Sequence, residues 1–355
     1  MYLIMIRSVF AAITLSYGLS AVSSAETFKV FILAGQSNMV GQVQDGLLEH
    51  QATNAKTADL FSHLRKDGKW ITRDDVFIKY EKKHGGLTKA YGSRGQRTGL
   101  ELEYGTRLGD HYKQPVLLIK TCWGGHSLFQ KFRSPSAGLP SEEFLQKELS
   151  NAIKRTKQNN EKRKRNDPLP TMEDIQAVYG SSYRMMMKEV QDTLAKYETL
   201  FPELKGKTPE ISGFVWFQGW NDQYNGAELE YASNMKHFIN DVRKDLKSPK
   251  LPFVIGVMGQ NGSTPAKGAM KTIQEAQLAM EKMPEFKGNV TAVRTDVLVD
   301  KAAEKLYPDW KARFEEWKKV GSDRGYHYYG SAIWFNRIGK AFAEATIKLE
   351  HVTGS

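Results

Sequence analysis

Five short apolar runs recur at wide spacing along the chain: Phe28 to Leu33, Val116 to Ile119, Phe214 to Phe217, Phe253 to Val257 and Val290 to Val293. Short apolar runs of this kind are expected of strands covered on both faces. Helical stripes lie between several of them. Tyr183, Met186, Val190, Leu194 and Tyr197 form one, and Met235, Phe238, Ile239, Val242 and Leu246 form another. A last helix is marked by Ile338, Phe342, Ala345 and Leu349. Strands alternating with helices predict an α/β protein, with a parallel sheet inside a three-layer α/β/α sandwich. Two regions fit the alternation poorly. Residues 42–98 are polar and read as a loop-rich excursion. Residues 130–170 carry Pro135, Pro140, Pro168 and Pro170 around a basic run and read as an insertion. Neither a second domain nor an internal repeat is evident, so one domain is expected over 26–355.

The first 25 residues stand apart. One positive charge in Met1 to Arg7 precedes a short apolar stretch, and Ser23-Ser24-Ala25 supplies small residues where a signal peptidase cleaves. The expectation is an exported protein, periplasmic or extracellular, with no later stretch apolar enough to span a bilayer. The single cysteine, Cys122, excludes an intrachain disulfide framework, so packing must supply the stability. The formal charge is +11, and much of the excess sits in Lys154-Arg155-Thr156-Lys157 and Lys162-Arg163-Lys164-Arg165. That run suits a solvated insertion or an acidic polysaccharide. Nucleic acid is not an expected partner, because export removes it and no recognised nucleic-acid module is present.

Candidate chemistry begins where the first strand ends, at Gly35-Gln36-Ser37-Asn38-Met39. This order places a small hydroxyl at the carboxyl end of a strand, where open α/β sheets carry their sites. A serine becomes a nucleophile only with a base to take its proton and dipoles to receive the oxyanion. Three further segments suit those roles. Arg97-Thr98-Gly99-Leu100-Glu101 offers a glycine N–H. In Gln218-Gly219-Trp220-Asn221-Asp222 another strand ends with a side-chain amide. Asp323-Arg324-Gly325-Tyr326-His327 brings a histidine just before the last helix. His126, after Gly124-Gly125, is a rival base. Trp123 and Trp220 adjoin these motifs and suit either sugar stacking or the core. No His/Asp/Glu cluster has metal-ligand spacing, so no metal or cofactor is expected.

With these residues the chain resembles the SGNH-type hydrolases, specifically the sialate O-acetylesterase and acetylxylan esterase branch of carbohydrate esterases, from about Phe28 to Leu349. Gly35-Gln36-Ser37-Asn38-Met39 and Gln218-Gly219-x-Asn221 carry the resemblance together. It implies a five-stranded parallel sheet of flavodoxin-like order. It also implies Ser37 as nucleophile, His327 as base, and an oxyanion hole from the Ser37 and Gly99 N–H groups with the Asn221 amide. Gln36, Asn38, Gln218, Trp123 and Trp220 are the expected substrate contacts. Lys120-Thr121-Cys122-Trp123-Gly124-Gly125 is similar to the family's glycine pair beside the pocket. One departure stands out: many such enzymes place the catalytic acid three residues before the histidine, and that position is Arg324. Asp323, one residue further back, is the candidate acid; Asp296, Asp222 and a backbone carbonyl are alternatives. The expected activity is removal of O-acetyl groups from a poly- or oligosaccharide by two-step acyl transfer. A general lipid or ester hydrolase and a catalytically silent glycan-binding protein are the competing readings.

Overall fold

The computed structural model describes residues 26–353, with side chains over 26–350. The expected signal segment, 1–25, lies outside the described residues. The main sheet is built from β1 (Thr27–Gly35), β2 (Val76–Tyr80), β3 (Lys83–Gly86), β4 (Val116–Cys122), β5 (Thr208–Phe217), β6 (Phe253–Val257) and β7 (Val290–Arg294). Its order is β3-β2-β4-β1-β5-β6-β7, parallel throughout except for the β3 edge. The five expected strands keep the flavodoxin-like order β4-β1-β5-β6-β7.

The strand count corrects the expectation of five to seven. The two additional strands lie inside the 42–98 excursion. Only Val76-Phe77-Ile78 is continuously apolar there, and its outer neighbour is the polar, glycine-bearing Lys83–Gly86. β2 is second from the edge and buried at all but Lys79, so its signal is merely short, while the edge strand β3 is exposed or half-buried throughout and shows none.

Six principal helices flank the sheet: α1 (Glu101–His111), α2 (Glu142–Arg163), α3 (Ser181–Leu200), α4 (Tyr231–Asp245), α5 (Gly268–Met280) and α6 (Ala332–Thr353). Alternation along β1 divides the interior. Phe31 and Leu33 join one core with Leu108 of α1 and Ile338 and Phe342 of α6. Val30, Ile32 and Ala34 join the other with Met186, Phe238 and Ile273 of α3, α4 and α5. Each face of β1 is thus buried, which is why its run is apolar at successive positions. The 130–170 region is also more ordered than an insertion loop. The Ser141 Oγ caps α2, accepting the Phe144 N–H at 3.3 Å. The basic run Lys154 to Arg163 continues that helix, whose one buried residue is Leu145. A helix polar on nearly every side gives no core-facing stripe to read.

The register positions the site. Gly35 at the end of β1 pairs with Cys122 on one side and Phe217 on the other. Three parallel strands therefore end level, and the segments after them, starting at Gln36, Trp123 and Gln218, emerge together at the carboxyl edge.

Candidate active site

Two glycines make this convergence possible. Gly35 has φ +151°, and a Cβ on it would lie 2.1 Å from the Phe217 carbonyl oxygen. Gly219 has φ +153°, and a Cβ there would strike the Met258 sulfur at 2.4 Å. Only glycine adopts such backbone at such closeness. The chain then turns at once into the one-turn helix Ser37–Val40, with half-buried Ser37 as its first residue. Within the described residues no acceptor takes the Ser37 N–H. The Ser37 carbonyl accepts from the Gly41 N–H at 3.2 Å and from Gln42 Nε2 at 2.7 Å.

Gln36 joins this turn to the one after β5. Its Oε1 accepts from the N–H groups of Gly219 (3.2 Å) and Asn221 (3.3 Å), and from Gln218 Nε2 (3.2 Å). Its Nε2 donates to Asn221 Oδ1 at 3.1 Å. With its oxygen engaged, the Asn221 side chain presents its NH2 group toward the Gly124-Gly125 turn; a Cβ on Gly125 would sit 3.9 Å from Asn221 Nδ2. Gly124 adjoins the Ser37 turn, since a Cβ on it would lie 3.9 Å from Ser37 Cβ. No acceptor within the described residues takes the Gly124 N–H.

Buried Asp222 fastens the loop after Gly125. It accepts from the N–H groups of Leu128 (2.9 Å) and Phe129 (2.7 Å) and from Gln218 Nε2 (2.6 Å). Burial raises its pKa to about 6, against the lowering effect of those three donors.

The histidine arrives on the turn Gly325–Gly330. Asn38 Nδ2 donates to the Tyr326 carbonyl at 3.1 Å, tying the Ser37 turn to the residue before His327. His327 Nδ1 lies 3.0 Å from Asp323 Oδ1, which also accepts the Arg324 N–H at 2.7 Å. Arg97 pairs with the other carboxylate oxygen and donates to Gln42 Oε1 at 2.9 Å. Burial raises the Asp323 pKa, but His327, the Arg324 N–H and Arg97 outweigh it and hold the carboxyl at about 2. After His327, Tyr328 and Tyr329 adopt left-handed conformations (φ 52° and 58°) that side chains rarely occupy. The fully buried Tyr328 ring anchors this strained turn, its hydroxyl accepting the Gly259 N–H and bonding Thr295 Oγ1, both at 2.9 Å.

Several expected residues take different places. The Gly99 N–H donates 2.8 Å to Glu101 Oε1, so it is not free for an oxyanion. Gln36, Asn38 and Gln218 are each 3% exposed and face inward, binding the turns to one another rather than presenting amides to a ligand. Trp123 packs on Phe132 and stacks near His126, while Trp220 meets Tyr326 with ring centroids 5.9 Å apart. His126 Nδ1 is engaged with Ser182 Oγ at 2.7 Å, and burial lowers its pKa, as does nearby Lys131. Asp296 is held by Arg294. Arg324, at the position where the resemblance puts the acid, lies over the Trp310 ring at 4.3 Å.

The sequence profile of the SASA family, described as carbohydrate esterase, sialic acid-specific acetylesterase, matches residues 27–178 and 171–304. No curated protein sequence matches the chain. Among solved structures, NanS shares the fold, with a TM-score of 0.52 and 14% identity over 93% of this chain and 99% of that one. A carbohydrate acetylesterase from Xanthomonas citri gives a TM-score of 0.48 and 14% identity, over 92% of this chain and 56% of that one. A protein from Arabidopsis thaliana has a TM-score of 0.48 and 14% identity, over 90% of this chain and 98% of that one. Among the described residues no helix is long and apolar enough to cross a membrane. With the profile spanning well over half its length, the chain belongs to the SASA family of carbohydrate esterases.

Proposed function

We propose that this protein is an exported serine esterase that removes O-acetyl groups from a carbohydrate by two-step acyl transfer. The observation that carries the reading is the double tether of the Ser37 turn: Asn38 holds it to the His327 turn, and Gln36 holds it to Asn221. A nucleophile, a carboxylate-paired imidazole and an oriented amide donor are thereby gathered at one sheet edge. Ser37 Oγ attacks the acetyl carbonyl carbon as His327 Nε2 takes its proton, with Asp323 on Nδ1 fixing the tautomer and stabilising the imidazolium. The oxyanion is received by Asn221 Nδ2 and by the N–H groups of Ser37 and Gly124, the latter in place of the occupied Gly99 N–H. Collapse expels the sugar alkoxide, protonated by His327, and water then releases acetate by the same steps in reverse. Export rests on the N-terminal sequence alone.

The test is acetate release from p-nitrophenyl acetate and an O-acetylated oligosaccharide by residues 26–355, with Ser37→Ala alongside. Loss of at least a thousandfold in the variant is expected, as when a triad nucleophile is removed. A Ser37→Ala protein that hydrolyses both esters at the parent rate sinks the proposal.

A further inference from the structure

A cavity of about 650 Å³ is lined in part by Asp323, the carboxylate on His327 Nδ1. That volume is within the range of small-molecule sites. Its walls include Trp310, Phe314, Trp317, Lys319 and Arg324, and it shares Asp323 with the site described above. Trp317 is a fixed floor: it is buried, and Gly321 lies against its ring so closely that a Cβ would meet it at 2.3 Å. Phe314 is 52% exposed on the same wall.

Arg324 is exposed on the same wall. Its guanidinium is laid on Trp310 at 4.3 Å from the ring centroid, while its backbone N–H is committed to Asp323. Among the described residues no carboxylate pairs with it; nearby Glu315 and Glu316 are taken by Lys318 and Arg313. A guanidinium stacked on an aromatic face has lost little of its hydrogen-bonding capacity, and its planar fork is already oriented for a carboxylate. An aromatic ring beside such a fork suits one ligand class: the apolar face of a sugar on Phe314, with that sugar's carboxylate on Arg324.

We infer that this cavity is a second saccharide subsite, which takes a carboxylated sugar unit of an oligosaccharide whose acetylated unit lies at Ser37. The substrate is then an acidic oligomer rather than a free monosaccharide. The placement of the acid at Asp323 is what frees position 324 for this role, since a carboxylate at 324 could not both serve His327 and read a substrate anion. The inference rests on the esterase reading only for the location of the acetyl group.

The test is calorimetric titration with unacetylated oligogalacturonides and with neutral xylo-oligosaccharides of equal length, using the parent, Arg324→Gln and Phe314→Ala. The acidic chain is expected to bind more tightly than the neutral one. Arg324→Gln should weaken the acidic chain about tenfold, as for loss of one charge-assisted contact, and leave the neutral chain as it was. Phe314→Ala should weaken both. Both side chains are solvent-exposed, so the variants are expected to fold, with melting temperatures checked in parallel. A sialylated oligosaccharide titrated alongside decides which carboxylated sugar supplies the anion. In turnover, the KM of Arg324→Gln for an O-acetylated acidic oligosaccharide should rise about tenfold relative to its KM for p-nitrophenyl acetate. Equal binding of acidic and neutral chains, or acidic-chain binding indifferent to Arg324→Gln, overturns the subsite. Because titration requires no turnover, failure of the Ser37 chemistry is read separately from failure of the subsite.

Discussion

Replacement of Lys120 by methionine examines what supports the Ser37 turn from beneath. Lys120 and Glu101 form an ion pair at 2.8 Å with both side chains 0% exposed. The ammonium also donates to the carbonyls of Val40, in the Ser37 helix, and Tyr91, each at 2.8 Å, and lies 4.9 Å from the Tyr80 ring centroid. All three of its protons are therefore used. Methionine retains most of the volume, so little of the cost arises from a cavity. What it removes is the countercharge of a buried carboxylate whose remaining donor is the Gly99 N–H. Breaking a buried pair from one side costs about 3–5 kcal/mol, and two orphaned carbonyls keep the figure at the upper end. Urea unfolding should show a lower midpoint at constant slope, the product of slope and shift equalling that loss, and the melting temperature should drop by roughly 10 °C. The double variant Lys120→Met with Glu101→Gln removes the uncompensated charge while leaving an acceptor for Gly99, so it should be more stable than the single variant. A loss below about 1 kcal/mol for Lys120→Met, or a double variant as unstable as the single one, would refute the argument that pairing holds this turn.

Three other outcomes follow from the geometry. Asn221→Ala should lower kcat on acetyl esters by about a hundredfold or more with little change in KM, measured by steady-state kinetics, since it removes a donor made useful only as the oxyanion forms. Gly35→Ala should yield little folded protein by circular dichroism and size exclusion, because its Cβ would sit 2.1 Å from the Phe217 oxygen in a backbone conformation closed to alanine. The Asp323 carboxyl, at about 2 in the folded chain against 3.8 for an unshifted aspartate, contributes on the order of 2 kcal/mol of stability. That contribution is present in full above the unfolded value and lost as pH falls through about 2. Urea midpoints of parent and Asp323→Asn should thus differ most above pH 5 and converge toward pH 2.

What could be read in advance was governed by burial. β1, β4, β5 and β6 carry apolar runs because they are covered on both faces, β7 is buried at Val290 and half-buried after it as far as Val293, and the stripes of α3, α4 and α6 repeat because each helix buries one face. β2 and β3 escape such reading: the apolar run of β2 is only three residues long before Lys79, which pairs with Glu189, and β3 is Lys-His-Gly-Gly, the pattern of a loop. α2 escapes it too, because a helix burying Leu145 alone has no stripe. Its cap at Ser141, followed by Glu142 and Glu143 in the first turn, was the available signal, and it is local.

The site divides along a different line, between groups whose role depends on residue type and groups whose role depends on backbone placement. Ser37, Asn221 and His327 can be picked out because few side chains perform their chemistry. An N–H donor has no such mark, since every residue but proline has one. Gly99 and Gly124 are equivalent candidates until the Glu101 carboxylate is found on the first and the Ser37 side chain beside the second. The inward-facing amides pose the same difficulty: Gln36 makes four hydrogen bonds that lock two turns together, and nothing in Gly-Gln-Ser-Asn says which way its side chain points. The acid shows how placement and type interact. Asp323 reaches His327 Nδ1 across four residues because the turn between them is short and Arg97, from a distant segment, holds the second carboxylate oxygen. The resemblance puts an acid at position 324, whereas in the structure Asp323 meets His327 and Arg324 lies over Trp310 on the wall of the neighbouring cavity.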